Sequence, residues 1–236
     1  MKQDRREFLV FSGVALVMST TPLPLLAQSK MKIGIIGSGN VGGNIGASWV
    51  RAGHEVMFSS RDIEHDKELA ARLGAGSKAG TPREAAAFGD VVMVSVPYHA
   101  LPDVGKTVGD LLKGKVVIDT CNPFIGRDGE TGKWALEKGA GLASRELLPG
   151  ARLVRAFNAI GAASMGEAYK EPGKVGMPIA SDDAKAVEVA SRLIHDIGYE
   201  PVLIGGLEKG KYLMPGQPFA GERSAEEIRK IAAGLK

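Results

Sequence analysis

The chain has 236 residues, 44% of them hydrophobic and 24% charged, and a formal net charge of +3. That profile predicts a soluble globular protein built on one core, and no run of lysines and arginines is long enough to make a nucleic-acid face. Its single cysteine, Cys121, excludes an internal disulfide, and no histidine or cysteine has a partner at metal-ligand spacing, so no metal site is expected.

The first residues differ in kind from the rest. Arg5-Arg6 precede an apolar stretch from Phe8 to Met18, Pro22 and Pro24 follow, and Leu25-Leu26-Ala27 ends on a small residue. A charged start, an apolar stretch too short to stay in a bilayer and a cleavable end predict a signal peptide over 1–27. The arginine pair before Phe8-Leu9 resembles a twin-arginine signal, which would place the protein in the periplasm with no stable membrane span once the leader is removed. Met31 offers the alternative start, and with it a cytoplasmic protein.

From Lys32 the pattern is that of a folded unit. Lys32 to Ile36 reads as an apolar strand, Gly37-Ser38-Gly39-Asn40-Val41-Gly42 completes G-x-G-x-x-G at its end, and Val41, Ile45 and Trp49 mark one face of a helix that Gly53-His54 ends. A glycine-rich turn that follows a strand and opens a helix predicts dinucleotide binding. Gly37 would permit the tight turn, Gly39 the approach of a pyrophosphate, and Gly42 the close packing of helix on strand, with the helix N-terminus turned to the phosphates. The second strand ends in Ser59-Ser60-Arg61-Asp62. A carboxylate there would accept from the ribose hydroxyls of NAD, whereas Ser59, Ser60 and Arg61 offer two short donors and a fixed cation that suit the extra phosphate of NADP(H). The competing reading leaves Arg61 solvated and gives the ribose to Asp62, hence NAD.

Further units follow in order. "TPREAAAFGD" predicts a helix with Thr81 as N-cap and Pro82 at its first position, "VVMVSVP" a buried parallel strand, "ALPDVGKTVGDLL" a helix weakened by glycines, and "KVVIDTCNP" another strand. "GRDGETGKW" reads as a surface turn or small hairpin. "ARLVRAFNAIG", "KVGMPIASD" and "YEPVLIGG" are three more strands, with an amphipathic helix between the last two, capped by Asp182 or Asp183 and ended by Gly198. The stretch Pro215 to Phe219 should be extended, and "SAEEIRKIAAGL" predicts a short helix capped by Ser224 with Glu227 in the capping-box position. This alternation defines an α/β fold: a single Rossmann-like, doubly wound, mostly parallel sheet over 31–215, with a tail over 216–236. Val96-Pro97-Tyr98-His99, Asn122-Pro123 and Asn158 all fall at the carboxyl ends of strands, where such sheets bind ligands. Trp49 and Cys121 are expected in the core.

The stretches "MKIGIIGSGNVGGNIG", "SSRD", "VPYHA", "DTCNP", "RAFNAI" and "IASDDAKAVEVASRLIHDIGYEPVLIGGLEKGKYLMP" resemble, in order, the NADP-dependent oxidoreductases of the coenzyme F420 (deazaflavin) type. The resemblance implies a Rossmann-like domain that binds NADP(H) and passes hydride between its nicotinamide and a deazaflavin or flavin second substrate. It also implies that Ser38, Ser60 and Arg61 hold phosphates, and that Val96, Pro97, Asn122 and Ala159 frame the nicotinamide. Gly205-Gly206-Leu207 stands where many relatives have Gly-Pro-Leu, and the polar tail replaces a longer apolar ending, so the second-substrate end departs from the pattern.

Direct hydride transfer between stacked rings needs positioning and no obligatory side-chain acid or base. A carbonyl or imine reductase would need a proton donor, for which His99 or Tyr98 are the candidates. A third reading is an exported protein that carries NADP(H) tightly without turnover. The expected partner is a small-molecule redox substrate, with a homodimer as a possible assembly.

Overall fold

Residues 30–235 are described by the structure, a computed structural model of the chain. The leader expected over 1–27 lies outside them. Eight strands run as β1 (Lys32–Ile36), β2 (Glu55–Ser59), β3 (Ser77–Ala79), β4 (Val91–Val94), β5 (Val116–Asp119), β6 (Arg152–Arg155), β7 (Gly176–Ala180) and β8 (Glu200–Gly205). The helices are α1 (Asn40–Arg51), α2 (Ile63–Leu73), α3 (Pro82–Phe88), α4 (Leu101–Leu112), α5 (Ile125–Lys138), α6 (Ala140–Leu147), α7 (Ala184–Asp196) and α8 (Ala225–Gly234). One eight-stranded sheet has the order β3-β2-β1-β4-β5-β6-β7-β8. Every pairing is parallel except β6 with β7. The strand order reverses between β1 and β4, and the crevice of such a sheet opens at the carboxyl ends of those two strands.

Strict alternation divides the strands between two cores. Ile33, Ile35, Val91, Met93, Val116 and Ile118 join one cluster with Ile45 and Trp49 of α1 and Leu193 and Ile194 of α7. Val92, Val94 and Val117 join the other with Leu101 and Leu112 of α4 and Ala143 of α6. Both faces are covered, which is why these strands read as unbroken apolar runs. Trp49 and Cys121 are buried, as expected, and burial pushes the Cys121 thiol well up, out of nucleophilic range.

The local signals hold at several boundaries. Thr81 and Glu84 close a capping box on α3 with Pro82 behind it, Ser224 and Glu227 do the same for α8, and Asp183 caps α7. Asp182 instead accepts from the Leu207 N–H and pairs with Arg145.

Three expectations change. "GRDGETGKW" is part of α5 and not a hairpin: Gly129, at φ 54°, takes up a kink, while buried Asp128 accepts from the Phe124 N–H at 2.8 Å and ties the start of the helix. The stretch Pro215 to Phe219 is not extended. It turns, with Gln217 N–H bonded to Met214 O and Ala220 N–H to Gln217 O, because Phe219 is drawn into a third apolar cluster with Leu213 and Ile228. Finally, α2, β3 and α6 were not anticipated.

Candidate functional site

The turn between β1 and α1 has the mechanics its glycines predict. Gly37 adopts φ 100°, and a Cβ there would stand 2.2 Å from the Ser95 carbonyl oxygen. A Cβ on Gly42 would stand 2.0 Å from Gly37 O, so only glycine lets α1 sit this close to the turn. At Gly39 a Cβ would meet nothing within 4 Å, because that side opens onto the cavity. No side chain caps α1, so the N–H groups of its first turn, from Asn40, Val41 and Gly42, keep no intrahelical partner and face an anion's natural place. The turn leaves room for a pyrophosphate, which is the fit a dinucleotide requires.

The cavity holds about 580 Å³ and is lined by Gly39, Ser60, Arg61, Val96, Pro97 and His99, among others. Expected residues from three separate strand ends are thus brought to one wall. At the end of β2 the roles divide. Ser59 is fully buried and its hydroxyl donates to Ile35 O at 2.7 Å, so it ties β2 to β1 and cannot serve as a phosphate donor. Arg61 is exposed at the cavity. Asp62 is the N-cap of α2, accepting from the His65 N–H at 3.1 Å, which engages the carboxylate that the NAD reading would need. Ser38 and Ser60 both donate toward Asp66, a fully buried carboxylate in the first turn of α2.

Beyond β4, Val96 and Pro97 lie half-buried in the cavity wall. Tyr98 is buried, with its hydroxyl donating to Ala140 O at 3.1 Å and lying 3.0 Å from Ser144 Oγ. Burial also pushes its pKa far up, so Tyr98 is a core residue and not a proton donor to the crevice. His99 faces the cavity, and Asp128 Oδ1 stands 2.8 Å from its Nδ1. Burial alone would raise the Asp128 carboxyl, but hydrogen bonds from Arg127, the Phe124 N–H and His99 outweigh it and hold the group well below the usual carboxylate range.

Asn122, Asn158 and Ala159 lie outside this cavity wall, joined to each other. Asn122 Nδ2 donates to Asn158 O at 2.7 Å, and Ala159 O accepts from the Gly221 N–H of the tail at 2.9 Å. The Asn158 side-chain nitrogen and oxygen are buried and have no hydrogen-bond partner among the described residues. An orphaned amide of this kind is costly unless a ligand completes it. Phe157 beside it holds φ 65°, a strained value for a non-glycine residue, kept in place by edge-on contacts with Trp49 and Tyr199.

Sequence reading missed Asp66, Asp128 and the buried pair Asp119–Arg155. Asp66 had a usable signal, since it stands one helical turn after the cap Asp62. Asp128 is set by the packing of α5 against His99, and Asp119–Arg155 by the pairing of β5 with β6. Among the described residues no group of acidic, histidine or cysteine side chains could hold a metal ion, and no helix is long and apolar enough to cross a membrane.

A doubly wound sheet with a glycine-rich turn and a cavity at its switch point defines the class of Rossmann-like dinucleotide-fold proteins. A profile of the family described as "NADP oxidoreductase coenzyme F420-dependent" matches residues 32–123. The chain is 31% identical over 197 residues to an F420-dependent NADP reductase of Methanothermobacter thermautotrophicus, covering 78% of this chain and 84% of that one. A reductase of the same description from Methanothermobacter marburgensis is 30% identical over 78% of this chain and 88% of its own. In structure, a hypothetical protein of Sinorhizobium meliloti superposes with a TM-score of 0.68 at 26% identity, over 83% of this chain and 95% of that one. The chain belongs to the F420-dependent NADP oxidoreductase family, a family of oxidoreductase enzymes.

Proposed function

We propose that this chain binds NADP(H) across the carboxyl ends of β1, β2 and β4 and transfers hydride between its nicotinamide and a deazaflavin, coenzyme F420, or a flavin-like ring. The observation that carries the reading is the division of labour after β2: Asp62 is spent on capping α2 while Arg61 stays exposed at the cavity. Gly39 and the uncapped start of α1 would take the pyrophosphate, and Arg61 the phosphate on the adenosine ribose. Val96 and Pro97 would support the ring end, and the orphaned Asn158 amide would pair with the nicotinamide carboxamide. The cofactor supplies or accepts the hydride when bound; the protein holds and orients it. The test is to incubate the purified chain with NADPH and coenzyme F420 and follow loss of the oxidised deazaflavin absorbance. Catalysed reduction is expected. Reduction of ketones or cyclic imines with no deazaflavin turnover would overturn the assignment.

The second reading, a carbonyl or imine reductase, is favoured by one contact, His99 at the cavity backed by the buried Asp128 carboxylate. His99→Gln separates the two: ring-to-ring transfer should fall by less than about tenfold, whereas loss of a true general acid costs about a hundredfold or more. The Arg5-Arg6 leader extends the proposal to export, which fractionation of the native host checks by finding the protein in the periplasm or only in the cytoplasm.

A further inference from the structure

Asn122 is gripped by two arginines. Arg127 Nη2 donates to its backbone oxygen at 2.7 Å, and Arg155 Nη2 donates to its side-chain Oδ1 at 3.2 Å. Its Nδ2 donates in turn to Asn158 O at 2.7 Å. A guanidinium has only hydrogens to give and a carbonyl only lone pairs, so neither side-chain contact survives a flip of the Asn122 amide. The two partners therefore fix which end of that amide is oxygen and which is nitrogen. They take one lone pair and one hydrogen, and an amide has two of each, so one of each is left over. Asn122 is half-buried. Its loop begins with Thr120, whose N–H donates at 3.0 Å to the oxygen of Val94, two residues before Val96 in the cavity wall.

Arg155 is itself firmly held. Its guanidinium donates to Asp119 at 2.6 Å and to Cys121 O at 3.0 Å. A Cβ on Gly210 would stand 2.7 Å from Arg155 Cδ, and one on Gly141 3.2 Å, so two bare stretches of backbone make the space that the arginine stem fills.

Resting on the nicotinamide placed at Val96 and Pro97 above, we infer that Asn122 reads the carboxamide of that ring, and that Arg155 is the residue that positions Asn122 for it. A primary carboxamide offers both a hydrogen and an oxygen, the complement of what Asn122 has left. Arg155 touches no ligand; it acts by keeping the amide in one orientation, while Arg127 holds the backbone beside it.

Three probes test this: NADP+, its 3-acetylpyridine analogue, which keeps the carbonyl and lacks the amide N–H, and 2′-phospho-ADP-ribose, which lacks the ring. Calorimetry gives the dissociation constant of each for the full chain, Arg155→Lys, Asn122→Leu and the two combined, with a thermal melt of each protein. Wild type should bind NADP+ about tenfold tighter than the analogue, the worth of about one hydrogen bond. Arg155→Lys keeps a cation at Asp119 but gives up the planar fork that also reaches Asn122. Its preference should fall to about twofold or less, with 2′-phospho-ADP-ribose bound as in wild type. Asn122→Leu should lose the preference to the same extent, and adding Arg155→Lys should change it no further. A merely structural arginine would weaken all three probes alike, and that outcome overturns the inference. So does a tenfold preference that persists in folded Arg155→Lys or in Asn122→Leu, or a wild type that shows no preference. Where Arg155→Lys does not fold, Arg155→Met combined with Asp119→Leu removes both buried charges together and carries the same expectation. Failure of wild type to bind either NADP+ or 2′-phospho-ADP-ribose sinks the nucleotide reading itself, a result distinct from these.

Discussion

Arg155 and Asp119 meet at 2.6 Å with neither side chain exposed, at the paired carboxyl ends of β5 and β6. Arg155 also donates to Cys121 O at 3.0 Å and to Asn122 Oδ1 at 3.2 Å, and Asn122 passes the contact on to Asn158 O. The pair thus anchors the loops after β5 and β6 to each other. Arg155→Ala strands a buried carboxylate and should cost about 3 to 5 kcal/mol in urea unfolding. A cost below about 1 kcal/mol would mean that water reaches Asp119 in the folded protein.

The glycines of the first turn separate binding from folding. Gly39→Ala places its methyl in open space at the cavity and should leave the melting temperature nearly unchanged while weakening NADPH. Gly42→Ala drives a methyl against Gly37 O and should destabilise the fold by about 1 to 3 kcal/mol. Thermal melts with and without NADPH check both, and a Gly39→Ala protein that binds normally would place the pyrophosphate elsewhere.

Arg61→Ala should weaken NADPH by about 1.5 to 3 kcal/mol, the loss of a hydrogen bond to a charged group, and NADH far less. Titration of both nucleotides decides it. Equal losses would make Arg61 a structural residue.

His54 gives the fold a pH dependence of known sign. Its Nδ1 accepts from the Met31 N–H at 3.2 Å and its Nε2 lies 3.0 Å from Asp196, with both side chains nearly inaccessible. Burial lowers the His54 pKa, and Asp196 only partly opposes it. The unfolded chain takes up its proton near the ordinary value of about 6.5, so between that pH and the lower folded value it binds more protons than the native state. The contribution is whole above about pH 6.5 and is lost as pH falls, by at most about 1.4 kcal/mol per pH unit for one group. Urea midpoints at about pH 7.5 and 5.5 should differ in wild type and differ less in His54→Gln. No difference between the two proteins would sink this account.

Where one signal sufficed, the sequence was a good guide. The buried parallel strands, the N-cap at Thr81, the capping box at Ser224 and the G-x-G-x-x-G turn each carry a local physical reason that tertiary contacts did not override. α5 misled because eight polar or glycine residues in a row, Gly126 to Lys133, look like a turn, and only the Asp128 carboxylate, closed over the Phe124 N–H and Arg127, makes a helix start there. At the site, Arg61 and Gly39 were legible because backbone position alone places them. Ser59 was not: its hydroxyl is buried and taken by the Ile35 carbonyl of the neighbouring strand, a contact that only the pairing of β1 with β2 creates. Asp66 escaped notice because its role depends on a helix whose polar first turn hid the apolar face of Leu69 and Ala70.

The bonds from Gly221 N–H to Ala159 O and from Gly176 N–H to Arg223 O mean that the loop after β6 and the start of β7 are closed by residues made late in the chain. During synthesis, the first strands and their glycine turn can pair early, since they are contiguous. The loop after β6 cannot make its last contacts until the chain beyond residue 220 has emerged, with Phe219 entering its cluster at the same moment. A ribosome-bound intermediate should therefore carry a formed glycine turn while the contacts of Ala159 and Gly176 with the tail are still open. The order of assembly is written into where the tail docks.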